Sequence, residues 1–395
     1  MSIKADRLQW PFFDEPHRQL AAQAGEWAAI QFGSAEHPTE RAAVDARCRQ
    51  LVSALGKAGL LQHCLRAADG GAAADFDARS ICLLRSTLAY HDGLADFAFA
   101  MQGLGSAPLS LAGDAQMRSL WLPRVAEGKA IAAFALSEPE AGSDVAAMQT
   151  SARHDGAQYV LNGQKTWTSN GGIADFYCVF ARTSPGVRRP DGSVSAEGIS
   201  AFVVKPGDSG FTIAERIDAM APHPLARLAF EDCRIPAARL IGAEGEGFRI
   251  AMRTLDIFRT SVAAAACGFA RRALDEALSY VRTRGMFGRM LADFQLTQSA
   301  LAEMATALDA AELLTFRAAW LRDRGQPFTA AAAMAKLTAT ENAQSIIDRG
   351  LQMFGGRGLV QGAVVERLYR EIRALRIYEG ASEVQKLIIG RELLK

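Results

Sequence analysis

Glu379 lies in the run Arg376-Ile377-Tyr378-Glu379-Gly380-Ala381-Ser382-Glu383, between an aromatic residue and a glycine and just ahead of a helix. A carboxylate in that setting is suited to accepting a proton. Leu375, Ile377 and Tyr378 predict a dry flank, and Gly380 removes side-chain bulk beside the acid. Partial burial disfavours the anion and lifts its proton affinity toward that of a useful general base. Ser382 and Gln385 predict a Ser-x-x-Gln capping box, opening a helix with Val384, Leu387 and Ile388 on one face. A carboxylate at a helix N-terminus also suits the helix dipole, with no chemistry implied.

Other segments carry residues that could hold a ligand. Phe134-Ala135-Leu136-Ser137-Glu138-Pro139-Glu140-Ala141-Gly142-Ser143-Asp144 places small residues and hydroxyls after an apolar run, where backbone N–H groups can approach a ligand closely. A plain tight turn has the same composition. In Gly163-Gln164-Lys165-Thr166-Trp167-Thr168-Ser169-Asn170-Gly171 an indole among hydroxyls offers a stacking face for an aromatic heterocycle, or a core tryptophan at a strand end. Arg284-Gly285-Met286-Phe287-Gly288 with Phe294-Gln295, and Gln352-Met353-Phe354-Gly355-Gly356-Arg357-Gly358, set arginines beside glycine turns. Such arginines grip phosphates or stay solvated, and the second glycine cluster also reads as a helix C-cap. Asp256-x-x-Arg259 has the spacing of an intrahelical ion pair. His223 reads as a loop histidine and His91 as a structural one.

The elements that must position these residues fall into three stretches. Residues 1–130 are rich in alanine and leucine and read as helical. Residues 131–237 show short β-like runs, Ile131 to Leu136, Gln158 to Leu161, Phe176 to Ala181, Ile199 to Val204 and Leu228 to Phe230. Turn clusters such as His154-Asp155-Gly156, Asn162-Gly163, Pro190-Asp191-Gly192 and Pro206-Gly207-Asp208 separate them, which suggests a compact barrel or sandwich. Residues 238–395 return to helical periodicity, with Leu255, Phe258, Val262, Ala266 and Phe269 as one stripe and Leu301, Met304, Leu308 and Ala311 as another. The fold class is therefore α+β, with a β domain set between an N-terminal helical domain and a C-terminal helical bundle.

Composition narrows the function classes. The 395 residues carry 44 basic and 43 acidic side chains, a net charge of +1 that argues against a nucleic-acid groove; only Arg188-Arg189 and Arg271-Arg272 cluster. The six cysteines are scattered, so buried thiols in a reducing compartment are expected, not a disulfide frame or a metal site. Met1 to Arg7 is followed by no apolar signal core, and no apolar stretch reaches membrane-span length, so a soluble cytoplasmic protein is the expectation.

Taken together, five motifs in order resemble the acyl-CoA dehydrogenase family from about residue 50 to the C-terminus: FALSEPEAGSD (134–144), WTSN (167–170), RGMFG with Gln295, QMFGG (352–356) and RIYEGASEVQKLIIGRE (376–392). The helix–β–helix order is also that family's, with a four-helix bundle at the C-terminus. The resemblance implies FAD as cofactor. Phe134, Leu136, Ser137, Gly142, Ser143, Trp167, Thr168 and Ser169 match positions on the flavin side, with serine at 137 and 169 where the family usually has threonine. Arg284, Phe287, Gln295, Gln352, Phe354, Gly355 and Gly356 match positions that hold the adenine dinucleotide portion, in the family partly of a neighbouring subunit. Ala381, Ser382 and Glu383 match further cofactor positions. A homo-oligomer, in the family usually a tetramer, follows.

By the same resemblance Glu379 is the catalytic base. It removes the α-proton of an acyl-CoA thioester while the β-hydrogen leaves as hydride to flavin N5, and electrons pass on to an electron-transfer flavoprotein in acyl-CoA (β-oxidation) metabolism. Ser143, Asp256, Arg259 and Gly380 match substrate-binding positions. Relatives that carry the base immediately before Arg259 have an acid there; this chain has Phe258. Phe258 and residues 90–101 are candidate pocket walls, and a short, branched or cyclic acyl group is expected. An oxidase or monooxygenase on the same scaffold is the alternative, although monooxygenase relatives often lack the base that this chain keeps. A nucleic-acid-associated member is disfavoured by the dispersed charge.

Overall fold

The computed structural model describes residues 7–33, 37–190 and 192–395; the Met1–Asp6 segment and Asp191 of the Pro190-Asp191-Gly192 turn lie outside the described residues. The chain divides into two compact units, one of residues up to 37, 77–96 and 259–395, the other of residues 38–76 and 97–258. The helices before residue 130 are shared out between them.

The second unit is built on a sheet. Its strands are β1 (Ala132–Ala135), β2 (Ser151–Asp155), β3 (Gln158–Ser169), β4 (Phe176–Arg182), β5 (Ile199–Val204), β6 (Phe211–Arg216), β7 (Leu225–Pro236) and β8 (Leu240–Ile241). They pair in the order β6-β7-β3-β2-β4-β5-β8, with β1 parallel on β4. Two of the strands, β4 and β5, are buried almost throughout, as their continuous apolar runs require. The sequence reading missed β2 and β6, because both expose most of their side chains and carry little apolar signal. It also cut β3 and β7 short; each is a 12-residue strand whose apolar run is broken by polar residues.

Helices of the same unit clamp this sheet. Gln102, fully buried on the helix Gly93–Ala112, donates to the Ala130 carbonyl at 2.6 Å and accepts from Ala132 N–H at 2.9 Å. Its amide thereby satisfies the start of β1, where an unpaired backbone group would be costly. One turn on, Gly105 must be glycine, because a Cβ there would lie 2.7 Å from Ala132 Cβ. The Trp121 ring packs 4.7 Å from Phe176, and Arg216 of β6 pairs with Asp45 at 2.7 Å.

The first unit is helical. Its core is lined by Val262, Ala266 and Phe269 from the helix Gly247–Thr283, Met304, Leu308 and Ala311 from Gln295–Asp323, Ile346 and Ile347 from Thr329–Phe354, and Leu368 and Ile372 from Val364–Leu375. The second predicted stripe is thus core, with Leu301 partly buried against it. In the first stripe Leu255 is only half-buried, while Ile257 is inside. Phe13, ahead of the helix Glu15–Phe32, packs at 4.8 Å on Phe316 beside Cys82 and Leu83 of the helix Ala78–His91. Arg271 is no basic patch: with Arg7 it converges on the buried Glu312 carboxylate. Arg272 pairs with Glu276 at 2.8 Å. All six cysteines are buried, and none is in a disulfide. Among the described residues no helix is long and apolar enough to cross a membrane, and no cluster of side chains could hold a metal ion.

One carboxylate holding two arginines makes Glu312 a sensitive point. Removing it strands buried cationic charge, at about 3–5 kcal/mol. Glu312→Ala is therefore expected to lower the thermal unfolding midpoint markedly, whereas Leu120→Ala, at an exposed site, leaves it near the parent value; calorimetry of both proteins makes the comparison.

Candidate active site

In the sheet unit, two motifs far apart in sequence are tied together. Lys165 of β3 is fully buried, and its ammonium donates to the Leu136 carbonyl at 3.0 Å and to Glu138 Oε1 at 2.7 Å. Glu138 also accepts from the N–H groups of Gln149 (2.6 Å) and Thr150 (3.0 Å). Burial works to raise the Glu138 carboxyl, but Lys165 and these donors outweigh it and hold it below the ordinary range. Thr166 N–H adds a bond to the Ser137 carbonyl at 2.9 Å. The 134–144 loop and the end of β3 therefore form one rigid corner. Lys165 and Glu138 sit inside the quoted motifs, yet the sequence reading gave them no role.

This corner presents the residues expected on the flavin side. The pairing of β3 with β7 shifts register between Lys165 and Thr168, a bulge that re-aims the intervening side chains. Trp167 occupies it at φ 54°, a left-handed conformation unusual for a bulky residue, and its indole is 62% exposed. Next to it Thr168 Oγ1 is buried with no hydrogen-bond partner. Gly142 and Ser143 are exposed, and a Cβ at Gly142 would meet nothing within 4 Å. Leu136 is buried and Ser137 half-buried. Phe134 packs its ring 4.9 Å from Phe180, so its role is in the sheet's packing. An exposed indole beside an orphaned hydroxyl and open backbone suits a flat, polar-edged heterocycle such as a flavin.

His223 lies in the same unit, with its ring 4.6 Å from Phe97 and Nδ1 3.0 Å from the Ala221 carbonyl. Burial lowers its pKa, so it stays neutral. Phe258 is fully buried, 6.1 Å from the Phe76 ring, and it fills the space over Gly103, where a Cβ would meet the ring at 2.4 Å.

The helical unit carries Glu379. The residue has φ 52° and is followed by Gly380 at φ 91°, two consecutive left-handed positions. For a residue with a Cβ that conformation costs roughly 1–2 kcal/mol, and it persists only where surrounding bonds over-determine it. They do so here. The Gly380 carbonyl accepts from Lys336 Nζ at 2.9 Å and from Gln385 Nε2 at 2.7 Å. Ser382 N–H donates to the Arg376 carbonyl at 3.1 Å, closing the loop over Glu379.

The expected capping box does not form. The helix Ser382–Leu393 begins where predicted, but Ser382 Oγ donates to Glu341 at 2.5 Å and Gln385 donates to Gly380. Glu341 is also paired with Arg376 at 2.7 Å, and that charged acceptor outcompetes a backbone N–H for the hydroxyl. The buried face of this helix is consequently polar, Ser382 and Gln385, while Leu387 is 67% exposed. The dry flank needs correction too. Leu375 is buried, but Ile377 and Tyr378 are 58% and 38% exposed.

Dryness reaches the acid from another side. Glu379 is half-buried as a residue, yet its Oε2 is buried and has no hydrogen-bond partner. Burial raises its pKa; Arg85, Lys336 and Arg259 oppose the shift, and Asp96 adds to it. Arg85 is itself buried and bound to Asp96 through two bonds of 2.8 and 2.7 Å, with Ser261 on a third nitrogen at 3.1 Å. Much of its charge is therefore spent on Asp96. Lys336 is fully buried, and burial lowers its ammonium to about 8 against the pull of Glu379 and Glu341. Sequence reading missed Arg85, Asp96 and Lys336, since each is a single charge flanked by apolar or small residues. That anomaly is the signal that could have found them.

The residues expected at the adenine end lie in the helical unit and are largely open. Arg284, Gln295, Gln352, Gly355 and Gly356 are exposed, and a Cβ at either glycine would meet nothing within 4 Å. Phe287 sits at φ 49° on the two-residue turn of the hairpin Gly285–Met286/Arg289–Met290 and is 86% exposed. Phe354 instead stacks on Tyr280 at 4.2 Å. Asp256 and Arg259 share the helix Gly247–Thr283, and Arg259 is buried.

Three family models match the chain: acyl-CoA dehydrogenase N-terminal domain over residues 14–129, middle domain over 133–233 and C-terminal domain over 245–394. The mouse mitochondrial short-chain specific acyl-CoA dehydrogenase is 41% identical over 349 residues, 87% of this chain and 82% of that one. The solved butyryl-CoA dehydrogenase of Megasphaera elsdenii superposes with a TM-score of 0.86 at 32% identity, covering 97% of this chain and 99% of the other. A solved structure of PigA with FAD and proline reaches 0.84 at 27% identity, covering 96% and 98%.

The electrostatics carry a stability consequence. Glu379 holds its proton more tightly in the fold than when unfolded, so stability is present below about 4.5, the ordinary glutamate value, and is lost as pH rises through the folded value. Glu379→Gln never ionises. Its thermal midpoint is expected to match the parent at acid pH and to exceed it by about 2 °C at pH 8; equal midpoints at both pH values would refute the raised pKa.

Proposed function

The chain belongs to the acyl-CoA dehydrogenase family of oxidoreductases, and from that premise we propose that it oxidises a short-chain acyl-CoA to the 2,3-enoyl-CoA with Glu379 as the base. The buried, unpartnered Oε2 of Glu379 in a left-handed loop carries the reading. A carboxylate deprived of water and of donors gains more than an exposed one by taking a proton.

The residues fit FAD as cofactor. Trp167, the orphaned Thr168 hydroxyl, Ser169 and the open backbone around Gly142 and Ser143 would hold the flavin end. Arg284, Gln295, Gln352, Gly355 and Gly356 would hold the adenine end. Bound there, FAD supplies the acceptor for the two electrons of the β-hydrogen. The protein's own share is different. Glu379 takes the α-proton, and its backbone N–H faces the enolate-like oxygen of the thioester, where a fixed donor is worth most. Arg259, Asp256 and Ser143 are the residues expected to contribute to holding the CoA moiety. A homo-oligomer is the expected assembly on the family resemblance. An electron-transfer flavoprotein is the expected electron acceptor.

Phe258 supports the short acyl group. Seated over Gly103 and against Phe76, its ring takes room that a longer chain would need. The names of the mouse and Megasphaera relatives, short-chain specific and butyryl-CoA, point the same way.

Glu379→Gln is expected to keep flavin absorbance and lose kcat by about 10²–10⁴ with butyryl-CoA and a dye acceptor. Retained turnover would end the assignment of the base. In the parent, kcat/KM for butyryl-CoA is expected to exceed that for octanoyl-CoA at least about tenfold, and Phe258→Ala to narrow that ratio. A parent that prefers octanoyl-CoA would overturn the short-chain reading. Oxidase chemistry is separated by stopped-flow reoxidation of the reduced protein in air-saturated buffer, where a slow return of the oxidised spectrum is expected.

A further inference from the structure

We propose that Lys336 is a positioning residue for Glu379, its buried ammonium fixing the Gly380 carbonyl and supplying the cation against which the base ionises; this rests on Glu379 being the base. Three observations support it. Lys336 is fully buried on the helix Thr329–Phe354, where a cation is retained only at considerable desolvation cost. Its Nζ bonds the carbonyl of the residue directly after Glu379, at 2.9 Å. Glu379 is the strongest of its charged neighbours.

The geometry explains what the bond does. Glu379 and Gly380 are both left-handed, and that pair of dihedrals aims the carboxylate and the Glu379 N–H together. Gln385 holds the same carbonyl, but from the helix that the loop itself leads into. Among the described residues, only Lys336 anchors it from an independent helix. Without that anchor the Gly380–Ala381 peptide is restrained by the Gln385 bond alone, and any rotation of it moves Glu379 as well. The charge acts separately. Glu379 is faced by Arg85 and Asp96 of the N-terminal helices, by Arg259, by Lys336 and by the adjoining Tyr378. Arg85 is neutralised by its two bonds to Asp96. Lys336 has no such bidentate partner; its other acidic neighbours are Glu341, already bound to Arg376, and Glu383.

Two substitutions in the FAD-loaded protein separate bond from charge. Lys336→Gln keeps a donor for Gly380 and removes the cation, while Lys336→Met removes both. The readout is the pH profile of kcat with butyryl-CoA. Removing the cation raises the Glu379 pKa, so the acid limb is expected to move up by about 0.5–1 pH unit in both proteins. Lys336→Met is expected to lose a further five- to fiftyfold in plateau kcat, with KM changing less than threefold. A flavin-loaded variant whose acid limb stays at the parent position would overturn the proposal. So would loss of flavin and fold in both variants, since Lys336 would then support the bundle and not the base. Glu379→Gln in the same assay tests the underlying reading separately: if it turns over, Glu379 is not the base, whatever the lysine variants do.

Discussion

The proposed chemistry of this protein depends on a single unfavourable arrangement, a glutamate in the left-handed region with one carboxylate oxygen buried and unbonded. Neither the dihedral nor the desolvation is free, and each would relax if the loop could. The Gly380 carbonyl, gripped by Lys336 and Gln385, and the Ser382 amide, bonded back to Arg376, keep it from relaxing. Strain and raised proton affinity therefore have one origin. The loop that costs conformational energy is also the one that keeps donors away from the acid.

Both units repeat one device, a buried lysine spending its ammonium on backbone carbonyls beside a site. In the sheet unit Lys165 bonds Leu136 and Glu138, making the 134–144 loop and the β3 bulge one corner. In the helical unit Lys336 bonds Gly380. A lysine reaches a carbonyl across an apolar layer with a four-carbon stem, which suits a core otherwise built of alanine and leucine. Around Glu379 the cations are graded. Arg85 is consumed by Asp96, so burial outweighs the surrounding cations and holds the Glu379 carboxyl above the ordinary glutamate range.

The polar face of the last helix serves the same end. An apolar stripe of Val384, Leu387 and Ile388 would have packed it like any bundle helix. Instead Ser382 and Gln385 point inward and are bonded to Glu341 and Gly380. The helix is docked through hydrogen bonds at its N-terminus, directly after Glu379 in the chain, and Leu387 is left outside.

Much of this was legible in the residue order. Periodicity marked the helices, continuous apolar runs marked β4 and β5, and five ordered motifs identified the family, because backbone-approach glycines and the Tyr-Glu-Gly turn are local requirements written in adjacent residues. Scattered cysteines correctly foretold buried thiols. What the order of residues did not reveal was every feature resting on long-range competition. Whether Ser382 caps its helix or bonds Glu341, 41 positions away, is decided by a carboxylate that folding brings alongside. Whether Tyr378 shields the acid depends on which face of the loop is packed. Strands β2 and β6 carry too few apolar side chains to announce themselves and exist because neighbouring strands offer them hydrogen bonds. Lys336 and Arg85 look like ordinary helical charges until folding buries them, since the cost of desolvating a charge, and so its power to tune a neighbour, is fixed by surroundings that no single segment contains.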